Sequence, residues 1–171
     1  MMFRRDPLAD PEPLIKRVYA YAAYRVGHGP DAEDVTSETF ERALRYKKSY
    51  DPRKGEPVAW LLGIAKRCID GSWSNTEFAT EDVDVVDTAD LEEDTIRRLT
   101  MSRAVATLDE RDRELIALRY GADLTARQIA ELLGVRTNAI EVALHRALAR
   151  LRGVMGVEDG SEPVRKRRAS R

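Results

Sequence analysis

Cysteine is nearly absent: Cys68 stands alone among 171 residues. That excludes an internal disulfide and any cysteine-based zinc cluster. The two histidines, His28 and His145, lie far apart, so they and Cys68 make no metal-binding spacing. Aromatic residues are only 6% of the chain, and no run of alternating β-branched residues occurs, so the composition favours an all-α fold. No apolar stretch approaches the roughly 20 residues that cross a bilayer, which predicts no membrane insertion. The first thirteen residues are polar and proline-rich, unlike a signal peptide. The expectation is a soluble, cytoplasmic protein. There is also no glycine-rich phosphate loop and no Ser/His/Asp set that can be placed. An enzyme is therefore the least favoured class, with no catalytic residue, metal or cofactor expected.

Basic residues are missing from one segment altogether. Residues 76–95 hold nine Asp or Glu and no Lys or Arg. Residues 96–153 reverse the balance, with eleven Arg against seven acidic side chains, a net of +4. The formal net charge of −1 conceals this separation. A basic module can meet phosphate even within a slightly acidic chain.

Hydrophobic periodicity predicts helices over residues 13–26, from about Asp31 to Lys48, and from Val58 until Gly71 weakens the pattern. Further helices are expected near Ile96–Leu108 and Glu110–Tyr120. The predicted organisation is two small helical domains joined by a flexible acidic linker: an N-terminal arm (1–12), a first domain (13–75), the linker (76–97), a second domain (98–153) and a basic tail (154–171). Arg165–Arg168 in the tail read as solvated charge, with nonspecific DNA binding as the runner-up.

The segment LTARQIAELLGVRTNAIEVALHRALARL, residues 124–151, carries the most information. Thr125 stands at an N-cap position, and Ile129, Ala130, Leu132 and Leu133 give a short apolar-faced helix. Gly134 supplies a turn, and a second helix starts near Thr137. Ile140, Leu144, Ala147, Leu148 and Leu151 share one side of it. Asn138, Val142, His145, Arg146, Ala149 and Arg152 share the other. A buried stripe with a polar, basic outer face suits a helix-turn-helix entering a major groove. An ordinary pair of packed helices is the plainer reading.

The second helix of the first domain has acid at its start and base at its end, as the helix dipole favours. Asp34, Glu38 and Glu41 recur three to four residues apart and project as a ridge. Spacing alone leaves docking to a basic protein surface and plain solvation in balance. Arg53 and Lys54 sit in the turn-rich loop that follows, where they could meet nucleic acid.

Read together, these segments resemble a known family. DAEDVTSETFERALRY (31–46) looks like the signature helix of domain two of bacterial sigma-70 family factors. AWLLGIAKRCIDGSW (59–73) resembles the promoter-melting helix that follows it. Residues 108–152 resemble sigma domain four. A short acidic linker without an intervening third domain fits the extracytoplasmic-function (ECF) group.

The resemblance implies a non-enzymatic factor that binds core RNA polymerase and opens promoter DNA. It implies that 13–75 is domain two and 98–153 is domain four. Asp34, Glu38 and Glu41 match the ridge that grips the β′ clamp helices. Tyr50, Arg53, Lys54, Lys66, Arg67 and Asp70 match the surface that captures a flipped base and single-stranded DNA at the minus-ten element. Arg136, Asn138, Val142, His145 and Arg146 fall on the helix that reads the minus-thirty-five element. The β flap of polymerase and an anti-sigma factor are further partners the family brings. The linker would run through the basic RNA-exit path.

Several positions depart from the family pattern. Glu141, Val142 and Ala143 stand where many relatives carry Lys, Ser and Arg. Arg67 stands where many have Asn, and Gly71–Asn75 replaces a common basic cluster. Trp60 reads as core, and Cys68 as a partly buried, unreactive thiol. Trp73 reads either as a cover for the helix end or as a stacking platform. A free-standing helix-turn-helix regulator is the competing function. It leaves the acidic ridge, the loop and the linker without a role.

Overall fold

The computed structural model describes residues 6–73 and 93–156, without the side chains of Ser72, Trp73, Asp94 and Arg98. The segment expected as an acidic linker up to residue 92 and the basic tail from 157 lie outside the described residues, as does the side chain of Trp73. The described residues form seven α-helices and no strand. They are α1 (Pro11–Val26), α2 (Pro30–Arg45), α3 (Pro57–Trp73), α4 (Glu93–Ala106), α5 (Glu110–Ile116), α6 (Ala126–Leu133) and α7 (Thr137–Met155). A 3₁₀ turn, Lys47–Ser49, follows α2, and a π-turn, Ala117–Gly121, extends α5.

Helix boundaries follow local chemistry. Both α1 and α2 open on proline, whose missing N–H costs nothing in a first turn. Gly29 occupies the N-cap of α2, so Asp31 lies inside the helix rather than capping it. α2 ends at Arg45, where the chain tightens into the 3₁₀ turn, short of the expected Lys48. α3 continues through Gly71 to Trp73. α4 begins at Glu93, so the end of the expected linker is helical. Its first turn is acidic, as the positive end of a helix dipole favours. The N-terminal arm is tied down from Asp6, which pairs with Lys47, and Pro7 is buried.

Helices α1, α2 and α3 pack on one another through Val18, Ala22, Ala32, Val35, Ala43, Val58, Leu61, Leu62 and Ala65. A second cluster joins α4, α5 and α7 through Ala104, Val105, Leu108, Ile116, Ala147 and Leu151. The two helical sets are packed together. The first cluster continues without a break into Leu115, Ala117, Leu118, Ala122, Leu124, Ile129 and Ile140. The main seam lies between α1 and the π-turn. A Cβ placed on Gly121 would sit 2.9 Å from the Ala20 carbonyl oxygen and 3.0 Å from the Tyr21 Cα, so only glycine fits there.

Candidate nucleic-acid interface

The start of α6 is fixed by its own side chains. Thr125 accepts a hydrogen bond from the Gln128 backbone N–H (3.2 Å), and the Gln128 side chain accepts one from the Thr125 N–H (2.9 Å). This reciprocal cap satisfies two otherwise orphaned donors at the start of α6. Gly134 ends α6 at φ +68°, a left-handed conformation that glycine adopts without strain. Leu124, fully buried, anchors the entry to the motif.

α7 then buries Ile140, Leu144, Ala147 and Leu151. The buried carboxylate of Asp112 on α5 pairs with Arg150, pinning the two helices together. Asn138, Glu141, Val142, His145 and Arg146 are exposed, as is Arg136 at the N-cap. All five residues expected to read DNA therefore stand on the open side of one helix end. Val142 is half exposed despite being apolar. Ala143 turns away from this surface. It lines a groove of about 550 Å³ between the two helical sets, together with Arg25, Lys66, Glu114, Leu133 and Ala139.

On α2, Asp34 and Glu41 are exposed and Glu38 is partly so. Glu38 pairs with Arg42, and Glu41 lies 3.4 Å from Arg45, both one helical turn apart. Such exposed pairs contribute a few tenths of a kcal/mol each, roughly 0.3–0.5. The ridge is thus a solvent-facing set of carboxylates behind a buried stripe of Ala32, Val35, Thr36, Thr39 and Ala43. Leu44 is 64% exposed because it lies one residue around the helix from Ala43. With Tyr46, also exposed, it forms an apolar pair beyond the acidic ridge.

The loop after α2 differs from expectation in one residue. Tyr50 is buried, not presented outward. Its phenol donates to the Gly55 carbonyl (3.0 Å), and its ring packs on Trp60 at 5.5 Å. Trp60 is itself partly buried against the core. Arg53 and Lys54 at the loop tip are exposed. Asp51 accepts from the Arg53 backbone N–H and guanidinium, which holds its carboxyl below the usual range. On α3, Lys66 pairs with Asp70 (3.0 Å) and Arg67 is exposed. Cys68 faces inward beside the Thr39 hydroxyl, and burial raises its thiol pKa.

Four residues carry a role that the sequence did not announce. Arg25, Tyr21 and Glu114 meet across the seam, out of solvent, and Arg17 joins them at its edge. The available signal was a glutamate, Glu114, beside the apolar run LIAL at 115–118. No cluster of His, Cys, Asp or Glu among the described residues could hold a metal ion. No helix among them is long and apolar enough to cross a membrane.

Two family models match the chain: Sigma-70 region 2 over residues 12–72, and Sigma-70, region 4 over residues 98–151. The ECF RNA polymerase sigma factor RpoE of Cereibacter sphaeroides is 31% identical over 127 residues, covering 71% of this chain and 68% of that protein. The ECF RNA polymerase sigma factor BldN of Streptomyces coelicolor is 29% identical over 143 residues. That match covers 78% of this chain but only 54% of BldN. The sigma factor RpoE of Bartonella quintana, solved with the anti-sigma factor NepR, shares the fold at TM-score 0.66 and 17% identity, covering 85% of this chain and 94% of that one. CnrH, solved with the cytosolic domain of CnrY, shares it at TM-score 0.59 and 19% identity, covering 86% and 83%.

The class defined by this helical fold and its paired motifs is a transcription initiation factor rather than an enzyme. The chain belongs to the sigma-70 family, in its ECF group. Membership decides against a free-standing regulator, since the family acts by binding polymerase and directing it to promoters.

Proposed function

We propose that this chain binds core RNA polymerase through α2 and contacts promoter DNA at two separate elements. Asp34, Glu38 and Glu41 dock on the β′ clamp helices, and the exposed Leu44 and Tyr46 extend that contact with apolar area. Arg53, Lys54, Lys66, Arg67 and Asp70 line the path of the melted minus-ten strand. Tyr50 shapes the loop that carries Arg53 and Lys54. The domain assignment follows: residues 13–75 bind polymerase and the minus-ten element, and 98–153 bind the β flap and the minus-thirty-five element. The site of action is the cytoplasm, where polymerase works, and an anti-sigma protein is a further partner, as in the solved complexes of the two structural relatives.

The observation that carries this reading is the outer surface of α7. Asn138, Val142, His145 and Arg146 stand exposed on α7, the helix that follows the left-handed Gly134 turn. Base edges in a major groove are read by such side chains, each good bidentate pair discriminating by roughly 1–3 kcal/mol. Purified chain added to core polymerase is expected to give transcripts from a defined set of promoters, mapped by their 5′ ends. Core polymerase that ignores the added chain would refute the proposal.

A further inference from the structure

Resting on that reading, we propose that Val142 reads a methyl group in the minus-thirty-five element: the C5 methyl of a pyrimidine, carried by thymine or by 5-methylcytosine. The argument starts from a side chain that the fold does not use. α7 buries Ile140, Leu144, Ala147 and Leu151 on one side. Val142 lies about 200° around the helix from Ile140, and half of it is exposed. Ala139 and Ala143 line the groove between the two helical sets, and Val142 is not among the residues that line it. Helix formation does not call for valine either, since a β-branched residue is a poorer helix former than alanine.

Several other exposed apolar side chains have apolar company. Leu44 is paired with Tyr46 and Val154 with Met155, and Val135 lines the groove with Leu133 and Ile140. The open side of α7 gives Val142 polar neighbours instead. Asn138 stands one turn before it, Arg146 one turn after, and Glu141 and His145 beside them, all exposed. An apolar group set among polar ones has a specific counterpart in a major groove. Isopropyl offers no donor or acceptor, so it gains nothing from the nitrogen and oxygen edges of the bases. The apolar group that unmodified bases present there is the thymine methyl. Against that methyl, two apolar surfaces leave water together. Against a purine or an unmethylated cytosine, the same valine covers a polar edge and gains nothing. Uracil keeps the thymine edge without the methyl. 5-Methylcytosine keeps the methyl but exchanges the O4 acceptor for an amine, so the methyl and the edge can be tested apart.

The test uses core polymerase loaded with the full chain, on a duplex whose minus-thirty-five element has been mapped from its transcripts. Each thymine of the element, on either strand, is replaced in turn by uracil. At one position the replacement should weaken wild-type binding by about threefold to fivefold, the measure of one buried methyl. Val142→Ala should bind the thymine duplex more weakly by a similar factor and lose all preference for thymine over uracil there. Arg146→Ala should weaken binding and leave the thymine-to-uracil ratio unchanged. Cytosine and 5-methylcytosine, each paired with guanine, are then placed at the sensitive position. Tighter wild-type binding to 5-methylcytosine extends the reading to both sources. Equal binding confines it to thymine, on which the uracil result stands. An element without thymine, or one in which wild type tolerates uracil at every position, overturns the proposal. So does a uracil penalty that persists in Val142→Ala, since another side chain then reads the methyl. Loss of core polymerase binding by Val142→Ala in the absence of DNA overturns it too, by making the valine a protein contact. A wild-type chain that directs core polymerase to no promoter sinks the functional reading instead.

Discussion

The phenol of Tyr50 donates to the carbonyl of Gly55 at 3.0 Å, closing the loop that carries Arg53 and Lys54. A net hydrogen bond contributes about 1 kcal/mol. Tyr50→Phe keeps the ring against Trp60 and removes only the tie. The expected outcome is a melting temperature lower by about 2–4 °C, with slower promoter opening in permanganate footprints. Unchanged opening kinetics would show that the loop shape does not depend on this bond.

Asp34→Arg with Glu38→Arg is expected to abolish core polymerase binding in pull-downs. The chain should remain folded. The double change breaks the Glu38–Arg42 pair, at a cost of about 0.3–0.5 kcal/mol, and touches no buried group. Circular dichroism and a melt separate loss of docking from loss of fold.

Alanine at Arg53, Lys54, Lys66 and Arg67 together should leave duplex promoter binding largely intact and remove permanganate-reactive thymines. Arg53 and Lys54 sit at the loop tip and Lys66 and Arg67 on α3, none of them on α7. Normal opening by the quadruple variant would discard their assignment to the melted strand.

Cys68 should resist modification in the folded chain. Burial raises its pKa, so the reactive thiolate is scarce where an ordinary thiol already ionises. The sign follows from the proton: the folded state holds it more tightly than the unfolded state. This contribution to stability is full below the ordinary thiol pKa and is lost as pH rises through the raised one. A disulfide-exchange reagent at pH 8 should react slowly with native protein and rapidly after denaturation. Fast native reaction would show that the thiol is accessible.

Glu141→Lys in the holoenzyme should raise affinity for duplexes of any sequence and steepen the salt dependence by about one unit. Glu141 is exposed beside Val142, where its carboxylate would repel a DNA phosphate. Binding titrations at two salt concentrations, on a mapped minus-thirty-five duplex and a scrambled one, provide the measurement. Loss of preference for the mapped duplex would make Glu141 a base reader in its own right.

The helix-turn-helix was legible because its signals are local. Thr125, Gly134 and the stripe from Ile140 to Leu151 lie within one short segment, and each acts on the backbone beside it. The α2 ridge was legible for the same reason. Tyr50 was misplaced because an aromatic in a polar loop gives no sign of which way its ring turns. Trp60, ten residues on, decides that. The seam was not legible. Glu114 meets Tyr21 across 93 residues of sequence, and no periodicity within either helix reports such a pairing. Ala143, at a position where many relatives carry Arg, lines the groove between the two helical sets, which its place in the sequence does not reveal.

Left-handed Gly134, with the Val135 N–H donating to the Ala130 carbonyl (3.0 Å), sets the turn between α6 and α7 before any DNA arrives. On the proposed reading no ordering of the backbone would accompany docking, and each exposed side chain of α7 would meet its base pair independently of the others. Base preferences along the minus-thirty-five element should therefore add, each mismatch costing its own roughly 1–3 kcal/mol. A simple position-by-position score would then rank promoters for this chain without cross terms between neighbouring positions.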